Sequence, residues 1–320
     1  MNCFAFIFPG QGAQAVGMGK DLADAFPAAK TVFEEIDAAL GEKLSALIWG
    51  GRIEELTLTA NAQPALMAVS LAAMKALEME FEVKAAHAAF VAGHSLGEYS
   101  ALAAAGSLAI TDAARLLRRR GEAMQAAAPV GEGAMAALIG KVDVATAEAI
   151  ALEGSHAGVV VVANDNNVGN VVISGTKAGV DAAIAAGKER GVRSIPLSVS
   201  APFHSPLMAP AALAMEAALA ATEINAPSVP LVANVTARPV SAPDQIRRLL
   251  VEQVTGRVRW RESVQWMALS SDQGGGGVMR FVEVGAGRQL SGMIKRIAPG
   301  AETTALNAPV DLETFARSLG

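Results

Sequence analysis

The chain has few groups able to react near neutral pH: one cysteine, Cys3, and four histidines occur in 320 residues. A single cysteine excludes an internal disulfide, and Cys3 begins a short apolar run, residues 3–8, that predicts a buried strand. We therefore expect a protein of a reducing compartment, the cytoplasm, and assign no catalytic role to the thiol.

Long apolar runs are also missing. Hydrophobic residues make up 52% of the chain, yet no run reaches the ~18 to 20 residues that a membrane-spanning helix needs. The net charge of -5 disfavours a nucleic-acid surface. We therefore expect neither a membrane nor a nucleic-acid partner, and the length allows one large domain or two smaller ones.

Three sequence motifs that bind metals, phosphates or dinucleotides are absent or incomplete in this chain. No Cys/His cluster and no His-Glu-x-x-His spacing predicts a metal site. The turn Phe8-Pro-Gly-Gln-Gly12 lacks the Lys-Ser/Thr of a phosphate loop, which leaves an oxyanion donor near Gln11 as its candidate role. Val284-Gly-Ala-Gly287 lacks the third glycine of a dinucleotide fingerprint, and we expect no strand unit after it, so we interpret it as a packing turn. We expect no metal and no cofactor.

The chain does contain a regular alternation of strand-like and helix-like segments, which predicts an α/β fold with a parallel sheet covered by helices. The predicted strands are 4–8, 90–92, 231–234 and 281–284, and the predicted helices are 65–79, 96–105, 111–127, 208–221 and 289–297. A glycine run, 274–277, predicts a flexible loop before the last of these strands.

One part of the chain breaks the alternation. Residues 133–199 read as strand 134–139, helix 145–152, strand 159–163, strand 170–174, helix 178–190 and strand 193–199. This βαββαβ order predicts a ferredoxin-like small domain inserted into the large one. The predicted limits are 1–130 for the first part of the large domain, 131–200 for the insert and 201–320 for the second part.

The segment Gly93-His-Ser-Leu-Gly97 fits G-x-S-x-G, in which a sharp strand-to-helix turn lifts a serine oxygen out of a sheet. An apolar strand pattern precedes it, and a helix whose N-terminal amides could face an oxyanion follows it. We interpret Ser95 as a nucleophile; the alternative is a serine that only shapes the turn.

A serine nucleophile needs a base, and histidine is the usual one. His94 is next to Ser95 in the turn and should point to the other side, while His87 and His156 resemble ordinary surface or packing residues. His204 follows the last strand of the insert, where the chain returns to the large domain, and loops at such strand ends bind ligands in α/β folds. We therefore predict His204 as the base.

Arg120 lies on the apolar side of a predicted helix. The 3.6-residue period places Ala113, Leu117, Arg120 and Met124 on one stripe. A guanidinium there needs an anion, and its fork fits a carboxylate. Either a buried Asp or Glu or the carboxylate of a substrate would satisfy it, and the sequence alone leaves both open.

Several motifs, taken in order along nearly the whole chain, resemble the family of malonyl-CoA:acyl-carrier-protein transacylases. They are Phe8-Pro-Gly-Gln-Gly-Ala-Gln14, Asn61-Ala-Gln-Pro-Ala65, Gly93-His-Ser-Leu-Gly-Glu98, Arg120-Gly121, Gly133-Ala-Met-Ala136, Val172-Ile-Ser-Gly175, Pro202-Phe-His204 and Glu283-Val-Gly-Ala-Gly287. The resemblance implies an α/β-hydrolase-like large domain with a ferredoxin-like insert. It also implies malonyl-CoA and, transiently, acyl carrier protein as partners of a monomer.

The resemblance also implies roles for single residues. Ser95 would carry the malonyl ester, His204 would be its base, and Arg120 would hold the free carboxylate. A glutamine side chain or backbone carbonyl orients the histidine in this family, and Gln253 falls at the matching place, although Gly256-Arg257 replaces the commoner Asn-Pro nearby. The backbone amides of Gln11 and Leu96 would form the oxyanion hole. The residues expected to contact substrate in addition are Gln63, His94, Asn164 and Phe203, and the bulk of Phe203 favours malonyl over methylmalonyl groups.

Three other functions share part of this pattern. A serine hydrolase would use the same serine and histidine, an acyltransferase that loads polyketide synthases would share every motif, and a scaffold that binds the carrier without catalysis would keep the fold. Because the family's carriers are acidic, we expect a basic landing site. Its candidates crowd near Gln253: Arg247, Arg248, Arg257, Arg259 and Arg261.

Overall fold

Two β-sheets form the framework in a computed structural model that describes residues 3–129 and 131–319. Over these residues there are ten strands: β1 (Phe4–Phe8), β2 (Phe90–Gly93), β3 (Gly133–Ile139), β4 (Val160–Asn167), β5 (Asn170–Thr176), β6 (Arg193–Pro196), β7 (Leu231–Ala233), β8 (Arg238–Val240), β9 (Arg280–Val284) and β10 (Glu302–Leu306). The same residues form fourteen α-helices: α1 (Lys20–Ala25), α2 (Pro27–Leu40), α3 (Leu44–Gly50), α4 (Ile53–Thr57), α5 (Thr59–Phe81), α6 (Gly97–Ala104), α7 (Ile110–Ala126), α8 (Val144–Gly154), α9 (Lys177–Glu189), α10 (Ala209–Ala220), α11 (Pro243–Thr255), α12 (Trp260–Ala268), α13 (Gln289–Ile297) and α14 (Pro309–Arg317).

The larger sheet has the strand order β10-β9-β1-β2-β7-β8. Its pairings are parallel except that β8 runs antiparallel to β7. All five residues of β1 are buried, and alternate residues join different cores: Phe6 packs in one cluster and Ile7 in another. Helices therefore cover both faces, as expected of a parallel sheet, and ligands bind beyond the carboxyl ends of such strands.

The smaller sheet comes from the segment with the βαββαβ order. Its strands run β4-β5-β3-β6, with every neighbouring pair antiparallel. Helices α8 and α9 pack on it around a separate cluster that includes Leu138, Ile150 and Ile173. The predicted α/β class with a ferredoxin-like insert is confirmed. The domain limits stay a prediction, and the residue at the first limit, Val130, lies outside the described residues.

Main-chain hydrogen bonds join the two sheets. Val258, between α11 and α12, donates to the Ala163 carbonyl at 2.8 Å and accepts from the Asp165 N–H at 2.9 Å. Arg259 then donates to the Asn234 carbonyl at 3.0 Å, just after β7 of the larger sheet. A single segment of chain therefore ties β4 to the edge where the larger sheet's strands end.

The structure corrects several element boundaries. Strand β6 ends at Pro196 rather than at residue 199, and residues 197–199 leave the sheet to line the main cavity. Helix α5 begins at Thr59, ahead of the predicted start at residue 65, and contains Pro64. Strands β8 and β10 and helices α1–α4, α11, α12 and α14 were not predicted. The two strands and α1, α3 and α4 are short, but α2 and α11 have 14 and 13 residues and each buries one stripe at helical spacing, so their pattern was present in the sequence and was missed.

Two expectations about glycine-containing segments were wrong: that residues 274–277 form a flexible loop, and that no strand unit follows the packing turn at 284–287. The run 274–277 is no free loop, because each of its four backbone N–H groups donates a hydrogen bond and a Cβ at Gly275 would lie 2.1 Å from the Leu269 carbonyl oxygen. A strand unit does follow the turn at 284–287, since α13 leads to β10, which pairs in parallel with β9. The turn itself packs closely, with a Cβ at Gly285 only 2.3 Å from Ser70 Oγ.

None of the helices formed by residues 3–129 and 131–319 combines the length and apolar character needed to cross a bilayer.

Candidate active site

Ser95 lies in a sharp turn between β2 and α6. Its φ of 54° is left-handed, an uncommon conformation for a residue with a side chain. The flanking glycines make the turn possible: a Cβ at Gly93 would lie 1.9 Å from the Gly97 carbonyl carbon, and one at Gly97 would lie 2.3 Å from the Phe8 carbonyl oxygen. The strand–turn–helix context that gives G-x-S-x-G its meaning is therefore present.

Ser95 and His204 form a hydrogen-bonded pair. The Ser95 Oγ is 2.8 Å from His204 Nε2, although 109 residues separate them in sequence. On the other side of the ring, Nδ1 is 2.9 Å from the Gln253 backbone carbonyl and 3.2 Å from that of Gly256. Because carbonyls only accept, Nδ1 carries the proton, and Nε2 is left to accept from the serine hydroxyl.

The environment of His204 keeps its ring neutral. Burial, helped by the nearby Arg120 cation, lowers the pKa of His204 from 6.5 to about 3. A lowered histidine pKa means that the neutral, proton-accepting form persists as pH falls until that lower value is reached. The arrangement therefore provides a base that is ready at neutral pH.

This leads to a test by titration. We expect the His204 imidazole, followed by ¹⁵N NMR, to remain neutral throughout the range of about pH 5 to 8 in which ordinary histidines change charge. A His204→Gln variant assigns the resonance. A midpoint near the usual value of 6.5 would contradict the burial argument.

Arg120 is a buried cation whose partners are neutral. Its side chain is 2% exposed. Nη1 donates to Gln63 Oε1 at 2.7 Å, and Nη2 donates to Gln253 Oε1 at 2.7 Å and to Ser95 Oγ at 3.1 Å. Among the ion pairs of residues 3–129 and 131–319 there is none to Arg120, and its Nε has no hydrogen-bond partner there. Of the two alternatives, the buried salt bridge is therefore absent from the described residues.

Close packing of two helices brings Arg120 to this place. A Cβ on the next residue, Gly121, would lie 2.5 Å from the Ala60 Cα, so only glycine lets α7 approach the start of α5 this closely. The Tyr99 ring lies on another side, with its centroid 5.8 Å from the Arg120 Cζ. An aromatic face favours a cation without neutralising it, which leaves the charge available for a ligand.

A cavity of about 340 Å³ opens beside Ser95. The predicted residues Gln11, Leu96, Gln63, His94, Asn164 and Phe203 all line it, together with Ser95, Arg120 and His204. Gln253 lies behind this wall and reaches the site through its hydrogen bonds to Arg120 and His204. The structure thus brings together every residue predicted for the catalytic and substrate-binding site, around a cavity of the size expected for a small-molecule site.

Two backbone N–H groups remain free in this cavity. Neither Gln11 nor Leu96 donates its backbone N–H to another of the described residues. The Gln11 side chain is held by the Thr59 hydroxyl at 2.9 Å, and Leu96 sits at the start of α6. Free amides at a helix N-terminus favour a developing negative charge, so the geometry is compatible with an oxyanion hole.

His94 turns away from Ser95, as the sequence predicted. Its Nε2 is 2.9 Å from Asn166 Oδ1, and desolvation lowers its pKa, so the ring is neutral with the proton on Nε2. Asn166 was not predicted as part of the site. The signal was available, because four consecutive polar residues, 164–167, occupy a buried strand, where each polar side chain needs a partner.

Three of the five arginines of the proposed basic landing site form ion pairs within the chain, whereas Arg247 and the exposed Arg248 form none among the described residues. Arg257 pairs with Glu148, Arg259 with Glu262, and Arg261 with the buried Asp165. Arg247 donates to the Thr222 carbonyl. The clustering of arginines in sequence is therefore a poor guide to free positive charge at this surface.

Within residues 3–129 and 131–319, no group of three or more His, Cys, Asp or Glu side chains is arranged to hold a metal ion.

Comparisons with known proteins place these features in a family. The acyl transferase domain family matches residues 5–286. The malonyl CoA-acyl carrier protein transacylase of Bacillus subtilis is 43% identical over 320 residues, covering 100% of this chain and 98% of that protein.

Solved structures agree with the sequence match. The acyl-carrier-protein S-malonyltransferase of Bartonella henselae is 50% identical with a TM-score of 0.95, covering 99% of each chain. A malonyl-transacylase solved in complex with a type II polyketide synthase acyl carrier protein is 40% identical with a TM-score of 0.93, covering 99% of this chain and 100% of that one.

Proposed function

Because this chain belongs to the acyl transferase domain family and, within it, to the malonyl CoA-acyl carrier protein transacylases, we propose that its cavity moves a malonyl group from malonyl-CoA to acyl carrier protein through an ester on Ser95. It is an acyltransferase. One observation carries the assignment of the reacting atoms: Ser95 Oγ lies 2.8 Å from the unprotonated Nε2 of His204 and 3.1 Å from the buried Arg120 guanidinium, which forms no direct ion pair among the described residues.

In the first half of the reaction, Ser95 Oγ attacks the thioester carbonyl of malonyl-CoA while His204 Nε2 takes the hydroxyl proton. The N–H groups of Gln11 and Leu96 would bind the oxyanion, each such donor lowering the barrier by roughly 3 to 4 kcal/mol. The carbon–sulfur bond breaks, His204 returns the proton to the departing sulfur, and coenzyme A leaves a malonyl ester on Ser95.

In the second half, the phosphopantetheine thiol of the carrier gives its proton to His204 and attacks the ester. The bond to Ser95 breaks, the serine oxygen regains a proton from His204, and the malonyl-carrier thioester leaves. The Gln253 and Gly256 carbonyls hold the ring in the tautomer that both halves need. Donor and acceptor thus visit the same site in turn, which gives ping-pong kinetics.

Arg120 supports selection of malonyl groups. A malonyl carboxylate would pair directly with the guanidinium, which forms no ion pair among the described residues, whereas an acetyl group would leave it without a direct anionic partner. Phe203 is buried and lines the same cavity, where its bulk would leave less room for an α-methyl group. Gln63, His94 and Asn164 would contact the rest of the substrate.

The proposal extends to the setting of the enzyme. We propose that it supplies extender units for fatty-acid synthesis, working in the cytoplasm as a monomer without a cofactor. The polyketide alternative has one specific support, the similarity to a transacylase that was solved with a polyketide carrier.

The proposed function is tested by following the acyl group. Intact-protein mass spectrometry should show a malonyl adduct after malonyl-CoA is added, and the adduct should move to a carrier bearing phosphopantetheine but not to the same carrier without it. Fatty-acid and polyketide carriers compared as acceptors decide between those two roles. Free malonate forming as fast without an acceptor would instead indicate a hydrolase, and carrier binding without any adduct a scaffold.

A further inference from the structure

Glu98 is a buried carboxylate to which the proposed reaction gives no role. It lies in the first turn of α6 and is 2% exposed. Oε1 accepts a hydrogen bond from the backbone N–H of Asn234 at 2.8 Å, and Oε2 accepts one from the side-chain Nε2 of Gln253. Burial raises the pKa of Glu98 to about 7, and these two donors, with the Arg120 cation, oppose that rise. Two N–H donors converging on one carboxyl group favour its ionised form.

Gln253 connects Glu98 to the reacting residues. Its Nε2 also donates to the Ser95 carbonyl at 2.9 Å, and its Oε1 accepts from Arg120 at 2.7 Å. The two ends of an amide have opposite hydrogen-bonding roles. With two acceptors on one side, the NH₂ must face Glu98, and this leaves the carbonyl oxygen for Arg120.

We propose that Glu98 is a positioning residue: it fixes the orientation of the Gln253 amide, so that Arg120 is held in place, still charged, for the carboxylate of the substrate. The inference rests on the proposed function and deepens it. Glu98 acts on the turn as well, because Asn234, which it holds, accepts the Ser95 N–H at 2.8 Å and donates to the Gly93 carbonyl at 2.7 Å.

A neutral amide cannot replace this carboxylate. Glutamine at residue 98 would offer one acceptor and one NH₂ group to two donors, so an N–H would face either Asn234 or Gln253. The Gln253 amide can relieve the second conflict only by turning over, which directs its NH₂ group at the Arg120 guanidinium. A turned Gln253 amide loosens Arg120 more than it affects the serine–histidine pair. An N–H that faces Asn234 would instead act on the Ser95 turn and lower the rates for both thioesters alike.

The test compares kcat and KM for malonyl-CoA and acetyl-CoA in the full-length wild type and in Glu98→Gln. We expect the malonyl-to-acetyl ratio of kcat/KM to fall by about tenfold or more, the scale of one lost buried hydrogen bond to a charge. The matched control is Glu283→Gln, since Glu283 is fully buried and also accepts two N–H groups, from Leu290 and Ser291. That variant should lose stability and keep the ratio.

A second variant shows whether Glu98 acts through Gln253. Gln253→Met removes the amide and keeps the backbone carbonyl that His204 uses, so the ratio should fall again, and adding Glu98→Gln to it should cause little further loss. Equal losses for both thioesters, additive losses in the double variant, or an unchanged ratio in Gln253→Met would each overturn the inference. The result for Gln253→Met tests the inference even if the Glu98→Gln variant does not fold. A wild type that forms no malonyl adduct would instead overturn the proposed function.

Discussion

Replacing Ser95 with alanine should remove the covalent malonyl-enzyme and lower the rate of malonyl transfer by roughly 10⁴-fold or more, the scale expected when a serine nucleophile is lost. The reason is geometric, since Ser95 Oγ is the oxygen 2.8 Å from His204 Nε2 and also receives the Arg120 hydrogen bond. The adduct is measured by intact-protein mass spectrometry and the transfer rate by malonyl-carrier formation.

Ser100 provides the control for this experiment. It lies on α6, the helix that follows the Ser95 turn, is fully buried, and its Oγ has no hydrogen-bond partner among the described residues. Ser100→Ala should therefore keep the adduct and the rate. A malonyl adduct of undiminished amount in Ser95→Ala would show that the ester forms on another residue.

Replacing Arg120 with methionine should remove most of the preference for malonyl groups. The change deletes the charge and keeps much of the side-chain length. Losing one partner of a buried charge pair costs about 2 to 5 kcal/mol, so kcat/KM for malonyl-CoA should fall roughly 30- to 5,000-fold. Acetyl-CoA should lose far less, because it has no carboxylate to pair.

The control is the neighbouring residue of the same helix. Arg119 is exposed, and Arg119→Met should leave both substrates unaffected. The kinetic constants are measured for malonyl-CoA and acetyl-CoA side by side. A fall of the same size for both substrates would mean that Arg120 supports the serine–histidine pair rather than recognising the carboxylate.

Local patterns in the sequence predicted the features that depend on neighbouring residues. The period of α7 placed Arg120 on the buried side, and Gly93 and Gly97 indicated the turn that exposes Ser95. The order of strands and helices between residues 133 and 196 predicted the second sheet. In each case the physical constraint, a helical period or a turn that excludes Cβ atoms, acts over a few residues.

The hydrogen-bond partners that hold the site residues in place were harder to predict from the sequence. Glu98 and Asn234 are 136 residues apart, and Gln253 lies 155 residues from Glu98. Nothing in the local sequence around Glu98 indicates that it is buried, because an acidic residue in the first turn of a helix is also common at the surface. Such partners become visible only after folding has brought distant segments together. The short edge strand β10 was missed for a related reason, since its half-exposed residues show no clear alternation.

The main-chain ties of Val258 to β4 have a consequence for the range of acyl groups that the enzyme can admit. Widening the cavity by a hinge movement of one sheet away from the other would break two backbone hydrogen bonds at a residue that is fully buried, and unpaired buried amides are costly. The main-chain hydrogen bonds therefore oppose a change in the distance between the two sheets, and the side chains that line the cavity limit the size of the acyl group. Bulkier acyl chains would be accommodated by replacing those side chains with smaller ones rather than by movement of one sheet relative to the other.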